Sequence, residues 1–260
     1  MMKRVLFCCV LVGCFVSLFS GISFAHFGMV IPSDTMVMPG DPRVVRVTIS
    51  FSHPFEGNGM DLAKPREFGV MIRGKRIDLL SQLKETKVMG HKAWDLEYKI
   101  KRPGVYQFYM VPKPYWEPAE DKYIIHYTKT VIGAFGNEEG WDQMVGLKTE
   151  IVPLSRPFGL YAGNVFQGTV LLDGKPLPYA EVEVEYYNKD HKAIPPTDYM
   201  VTQVIKADAN GVFTYAVPHS GWWGFAALTT SKEKMKYRGQ EKEVELGAVI
   251  WVKFEGWNNK

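Results

Sequence analysis

Cysteine is nearly absent. The 260 residues hold three, Cys8, Cys9 and Cys14, all inside one apolar N-terminal run, so the rest of the chain has no thiol. That excludes disulfide staples, thiolate nucleophiles, redox dithiols and cysteine-ligated zinc or iron–sulfur centres. Charge of one sign is lacking too: 31 Lys and Arg against 28 Asp and Glu leave +3, and no clustered basic run of the kind that neutralises nucleic-acid phosphates stands out. Catalytic signatures are equally missing. There is no Gly-x-Ser-x-Gly elbow, no His-Glu-x-x-His, no phosphate-cradling glycine loop and no dinucleotide fingerprint. The neighbouring carboxylates Glu120-Asp121 and Glu138-Glu139 would point to opposite faces of a strand, which is a poor acid/base pair. The expectation is a binding protein, not an enzyme.

The single long hydrophobic run lies at the start. Lys3-Arg4, an apolar stretch from Val5 to Phe19, and Ser23-Phe24-Ala25 have the charged, greasy and small-residue zones of a secretory signal, with cleavage expected before His26. Leu11-Val12-Gly13-Cys14 also fits a lipid-attachment motif, but hydrophobic residues continue for ten positions beyond Cys14, unlike a polar tether. Removing residues 1–25 leaves 235 residues at 29 − 28 = +1. No later stretch approaches the roughly 20 apolar residues of a membrane span, so a soluble exported chain is expected.

What is abundant is period-two alternation. In Arg43–Phe51, Val45, Val47, Ile49 and Phe51 face one way and Arg46, Thr48 and Ser50 the other. Similar strands are expected over 105–111, 123–132, 169–172, 181–187, 212–217, 223–229 and 246–254, punctuated by Asp173-Gly174 and Asp208-Ala209-Asn210-Gly211. Only 77–83 and 138–144 look helical. The fold class is therefore all-β, two β-sandwiches after the signal, with the boundary in Val152–Gly159, giving domains 26–155 and 156–260. From Gly168 onward, Gly168–Leu177, Ala180–Val184 and the Asp208–Gly211 turn resemble an immunoglobulin-like, carboxypeptidase-regulatory type of sandwich, a scaffold that is silent about activity.

Chemistry is expected from histidine. Of His26, His53, His91, His126, His191 and His219, four lie in the first domain. Cleavage would give His26 a free α-amino group beside its imidazole, and the amine with Nδ1 can chelate one ion. The reference pKa of an α-amine, about 8, lets a borderline metal displace its proton near neutral pH. Such nitrogen donors suit nickel, cobalt, copper or zinc rather than calcium or magnesium. Phe27–Pro32 should dock as a first strand and hold the terminus. His53 ends the 43–51 strand, and His126 alternates with Ile124, Thr128 and Thr130 on the more polar face of its own. His91, in Gly90-His91-Lys92, is a possible fourth ligand, and Glu56, Glu120 or Asp121 could add oxygens. Polar turns around His191 and His219 read as ordinary surface. The many methionines of the first domain, without a Met-x-Met-x-Met cluster, read as core filler rather than a copper(I) site. The proline- and aromatic-rich loop 112–121 is expected either to cover the site or to present a docking surface.

Taken together, Ala25-His26, then Phe27–Ser33, the Pro39-Gly40 turn and the terminal Asp-x-x-Gly sandwich resemble a bacterial family of exported proteins described as periplasmic components of cobalt and nickel uptake transporters. The resemblance covers essentially the whole mature chain. It implies capture of nickel or cobalt and delivery to a membrane metal-uptake transporter of the energy-coupling type, with His26 matching the family's mature-terminal histidine. His53, His126 and His91 as further ligands rest on spacing. Two alternatives follow from the same residues. One is a copper protein, either a resistance-type binder or a histidine-brace oxygenase acting on polysaccharides; the other is a metal-free structural or adhesion module.

Overall fold

A computed structural model describes residues 26–257. The signal segment with Cys8, Cys9, Cys14, Ser23 and Ala25 lies outside the described residues. The chain is all-β, built as two β-sandwiches. The first half contributes β1 (Phe27–Pro32), β2 (Val44–His53), β3 (Glu67–Ile72), β4 (Lys75–Asp78), β5 (Lys84–Val88), β6 (His91–Lys99), β7 (Gly104–Val111), β8 (Tyr115–Glu117) and β9 (Lys122–Ala134). The second contributes β10 (Thr149–Pro153), β11 (Val165–Leu172), β12 (Glu181–Tyr186), β13 (Thr202–Lys206), β14 (Val212–Ala216), β15 (Gly221–Thr230) and β16 (Val244–Glu255).

One small sheet runs β1-β2-β6-β5 and another joins β10, β11 and β14, while a large sheet runs β13-β12-β15-β16-β9-β7-β3-β4 through both halves. Its seam is the parallel pairing of β9 with β16, Tyr123 opposite Val244 through Thr130 opposite Trp251. Alternation makes each layer half-buried. Val45, Val47 and Ile49 of β2 meet Phe68, Val70, Phe108 and Ile132 of the large sheet in one core. Phe166, Val170 and Phe213 meet Val182, Phe225 and Ile250 in the other. At the seam, β1 lies across the large sheet, packing Phe27 and Met29 on Ala226, Val249 and Trp251. Gly28 permits this approach: a Cβ there would stand 2.3 Å from Thr128 Oγ1.

The two expected helices are absent. Residues 75–78 form β4, Ile77 pairing with Val70, and only Leu80–Gln82 makes a 3-10 turn. The Arg73-Gly74 pair, at φ 50° and 71°, supplies the left-handed turn that folds β4 back on β3. Residues 138–144 are turns and loop. Among the described residues, no helix is long and apolar enough to cross a membrane.

Candidate metal centre

Five strand ends converge at one pole of the first sandwich. His26 precedes β1, His53 closes β2, Glu117 closes β8, His126 lies in β9, and Glu245 lies in β16. The β1–β2 register, Phe27 opposite Ser52, brings His26 beside His53, their ring centroids 4.5 Å apart. His26 is buried, stacked on Phe51 at 5.7 Å and flanked by Tyr115 at 6.4 Å. Its Nε2 lies 3.0 Å from Glu117 Oε2, and its Nδ1 lies 3.7 Å from Glu120 Oε1. A carboxylate only accepts, so Nε2 carries the proton and Nδ1 keeps its lone pair. Burial lowers the His26 pKa from its ordinary 6.5, and nearby His53 and His126 lower it further, against the opposing pull of Glu117.

His126 is fully buried on the other side of Phe51, edge-on at 5.8 Å. The Gly28 N–H donates to its Nδ1 at 3.4 Å, and its Nε2 faces Glu245 Oε1 at 3.4 Å. Both ring nitrogens thus have partners, and ligation by His126 requires one to be exchanged. Burial pushes the Glu245 carboxyl up, but His126 and Lys122 outweigh it and hold it down to about 2. Lys122 bridges Glu245 at 2.6 Å and Glu120 at 2.5 Å.

His91 is half exposed, pairs with Asp61 at 3.3 Å, and packs against Gly59 of the short strand Asn58–Met60 beyond the turn that follows His53. His191 lies against Gly57 of the turn at 54–57, and Asn188 donates to Phe55 O at 3.1 Å, so the second half clamps the exit of β2. His219 sits elsewhere, against Tyr186 and Trp223. The loop 112–121 does more than cover the site, because its strand β8 pairs with β9 and delivers Glu117 to His26. Sequence reasoning passed over Glu117 and Glu245. Each is a lone acid in an otherwise apolar or aromatic strand segment, Tyr115-Trp116-Glu117 and Val244-Glu245-Leu246, and that mismatch was the available signal.

Among the described residues, no three His, Cys, Asp or Glu side chains converge closely enough to enclose a metal ion. A chelate of His26, its own α-nitrogen and His53 needs only two side chains, and with Nε2 donating to Glu117 the Nδ1 lone pair is available for it.

The family model described as Domain of unknown function (DUF4198) matches residues 23–231. No curated protein matches the chain. Among solved structures it is similar to the D0-D1 domain of intimin at 12% identity over 86% of this chain and 99% of that one, TM-score 0.24. It is similar to the adhesin InvE of Yersinia pseudotuberculosis at 10% over 85% and 58%, TM-score 0.23. The I9-I11 tandem of titin matches at 10% over 86% and 66%, TM-score 0.23. At these TM-scores nothing about fold or function is drawn from them.

Proposed function

This chain belongs to the DUF4198 family, and we propose that it is a periplasmic protein that binds one nickel or cobalt ion at the His26–His53 pole and hands it to a membrane metal-uptake transporter of the energy-coupling type. The observation that carries the reading is the imidazole pair of buried His26 and half-buried His53, centroids 4.5 Å apart, with Glu117 Oε2 3.0 Å from His26 Nε2. Ligating histidines commonly donate their other N–H to a carboxylate, which orients the ring and raises its basicity.

On this reading cleavage before His26 frees the α-amine, and amine and Nδ1 close a chelate that His53 completes. His126 joins as a third imidazole if it releases Gly28 or Glu245. Glu117 acts through His26 as a positioning residue, and Glu120, 3.7 Å from Nδ1, is the oxygen donor on the chelating side of the ring. Capture and release need no covalent chemistry. His26 favours the neutral, ligating form because burial and its histidine neighbours lower its pKa.

Nitrogen-rich tetragonal sets suit nickel(II) and copper(II) alike. Copper is therefore the second reading, favoured by the number of donors: one amine and two imidazoles form a brace.

Calorimetric titration of a chain beginning at His26 should show one tight nickel or cobalt site. An added alanine before His26 should weaken it at least tenfold, as should His53→Ala. Unchanged affinity in both variants would overturn the site, and tight copper uptake with negligible nickel or cobalt binding would favour the second reading.

A further inference from the structure

The opposite pole of the first sandwich carries chemistry that metal capture does not use. Residues 64–102 hold 11 Lys and Arg against 5 Asp and Glu, a net +6, whereas the whole chain is +3. Most of these cations fall in two short groups, 73–76 and 99–102, which are far apart in sequence and which the fold sets side by side. Arg73 lies in the β3–β4 turn and Lys75 opens β4, while Lys99 ends β6 and Lys101 and Arg102 lie in the β6–β7 connection. The two tips are held side by side by the pairing of Ile72 with Tyr106, by Tyr106 Oη donating to Arg102 O at 2.7 Å, and by Arg73 Nη2 donating to Pro103 O at 3.4 Å.

Between the tips runs an open groove of about 870 Å³, floored by Ile72, Leu79, Tyr98 and Tyr106. Among the described residues, none of those five cations forms an ion pair with a carboxylate. Arg76, also in the groove, is already engaged by Glu67 at 2.5 Å and by Tyr109 at 3.0 Å. Glu97 is the one acid in the lining. Two aliphatic side chains stand exposed beside the cations, Ile77 at 43% and Val44, opposite Lys99, at 46%. Eight residues of β7 separate this groove from the histidine pole, roughly 25 Å at strand rise.

We propose that this basic pole docks the protein on a bilayer surface carrying anionic phospholipid headgroups. Unpaired cations on hairpin tips meet a laterally mobile array of phosphates, and the exposed Ile77 and Val44 enter the interface beside them. The apolar floor between cationic rims fits a phosphate-headed amphiphile, whose chains cover Ile72, Leu79, Tyr98 and Tyr106 while its headgroup meets the cations. The proposal does not rest on metal binding.

The test is flotation of the chain starting at His26 with phosphatidylcholine vesicles, with and without phosphatidylglycerol, at low and high salt. Binding should require phosphatidylglycerol, fall steeply with salt, and weaken about fivefold for each cation removed. Lys101→Glu with Arg102→Glu should abolish it, and the milder Lys101→Gln with Arg102→Gln should weaken it without altering Tm or the metal titration. Equal binding to neutral vesicles, or indifference of the Gln variant, overturns the proposal. So does a groove that takes up inorganic phosphate or an acidic polypeptide such as polyglutamate but no vesicles.

Discussion

Gly247 stands where any side chain would meet the imidazole of His126, since a Cβ there would lie 2.4 Å from its Cδ2. The glycine lets a bulky ring lie flat on β16 and reach Glu245. Gly247→Ala should therefore cost about 1–3 kcal/mol by overpacking, read as a lowered midpoint in urea, and an unchanged midpoint would mean that the ring has room to move. A second buried device is the Lys129–Glu150 pair, at 2.6 Å and almost wholly enclosed. Glu150 also accepts the backbone N–H groups of Val145, Gly146 and Leu147 at 2.8, 2.9 and 3.2 Å. Burial lowers the Lys129 pKa, against the pull of Glu150. Burial pushes Glu150 up, but Lys129 and the backbone donors hold it below its ordinary range. Lys129→Met alone leaves a buried carboxylate without its cation and should cost about 3–5 kcal/mol. Adding Glu150→Gln, whose single carbonyl oxygen can keep the Gly146 and Leu147 amides but not Val145 as well, removes the buried charge and should recover part of that loss in the same denaturation assay. Alternation alone could not show this pair: opposite residues of β9 read as one buried and one wet face, and here both are covered.

Strand β12 extends that lesson to an element. Glu181, Glu183 and Glu185 alternate with Val182 and Val184 in the pattern of a strand with one solvated face, yet Glu185 is buried against the exit of β2. The Thr202 hydroxyl meets one of its oxygens, and the Phe55 N–H donates to the other at 3.3 Å. Burial is the main cause that raises Glu185 to about 8, and burial with nearby Glu245 raises Glu183 to about 7. A folded-state pKa above the ordinary 4.5 contributes stability that is whole below 4.5 and is lost as pH rises through about 8. Glu185→Gln keeps both contacts without the charge. Its melting temperature should match the parent at pH 5 and exceed it by pH 9, a difference of a few kcal/mol at about 1.4 per pKa unit; parallel profiles would refute the assignment. His26 acts at the other end. Its lowered pKa makes stability fall as pH drops below 6.5, and nickel binding should weaken over the same range, which titration at pH 5.5 and 7.5 would show. Most main strands were legible from alternation, β2, β7, β9, β15 and β16 within a few residues. The hairpin of β3 and β4 was not, because four apolar residues within 77–83 fit a helical spacing as well as a strand end. Nor was β5, whose Lys84–Val88 run is mostly exposed and leaves no buried face to read.

At the scale of the molecule, the two sandwiches are joined by hydrogen bonds and not merely tethered. Parallel pairing of β9 with β16 joins residues more than 120 positions apart, a link that no local pattern carries. The same seam builds the candidate site, because β16 brings Glu245 to His126, and the second half clamps the turn after His53. The histidine pair itself was legible, since a strand start and a strand end can be read locally; its carboxylate partners came from strands whose placement only the fold fixes. Strand β10, at 149–153, pairs with β11 along Thr149–Pro153 and so belongs to the second sandwich's small sheet. A fragment of residues 26–155 would leave the β9 edge from Tyr123 to Thr130 without its partner, an exposed and largely apolar ladder prone to association. It would also bury His126 without Glu245. The chain from His26 to Lys260 should unfold in one transition, with circular dichroism and tryptophan fluorescence coinciding. The 26–155 fragment should be aggregated or unfolded under the same conditions and should bind nickel no better than a free N-terminal histidine peptide. A fragment that melts cooperatively within a few degrees of the intact chain would show that the seam is dispensable and that the first sandwich stands alone.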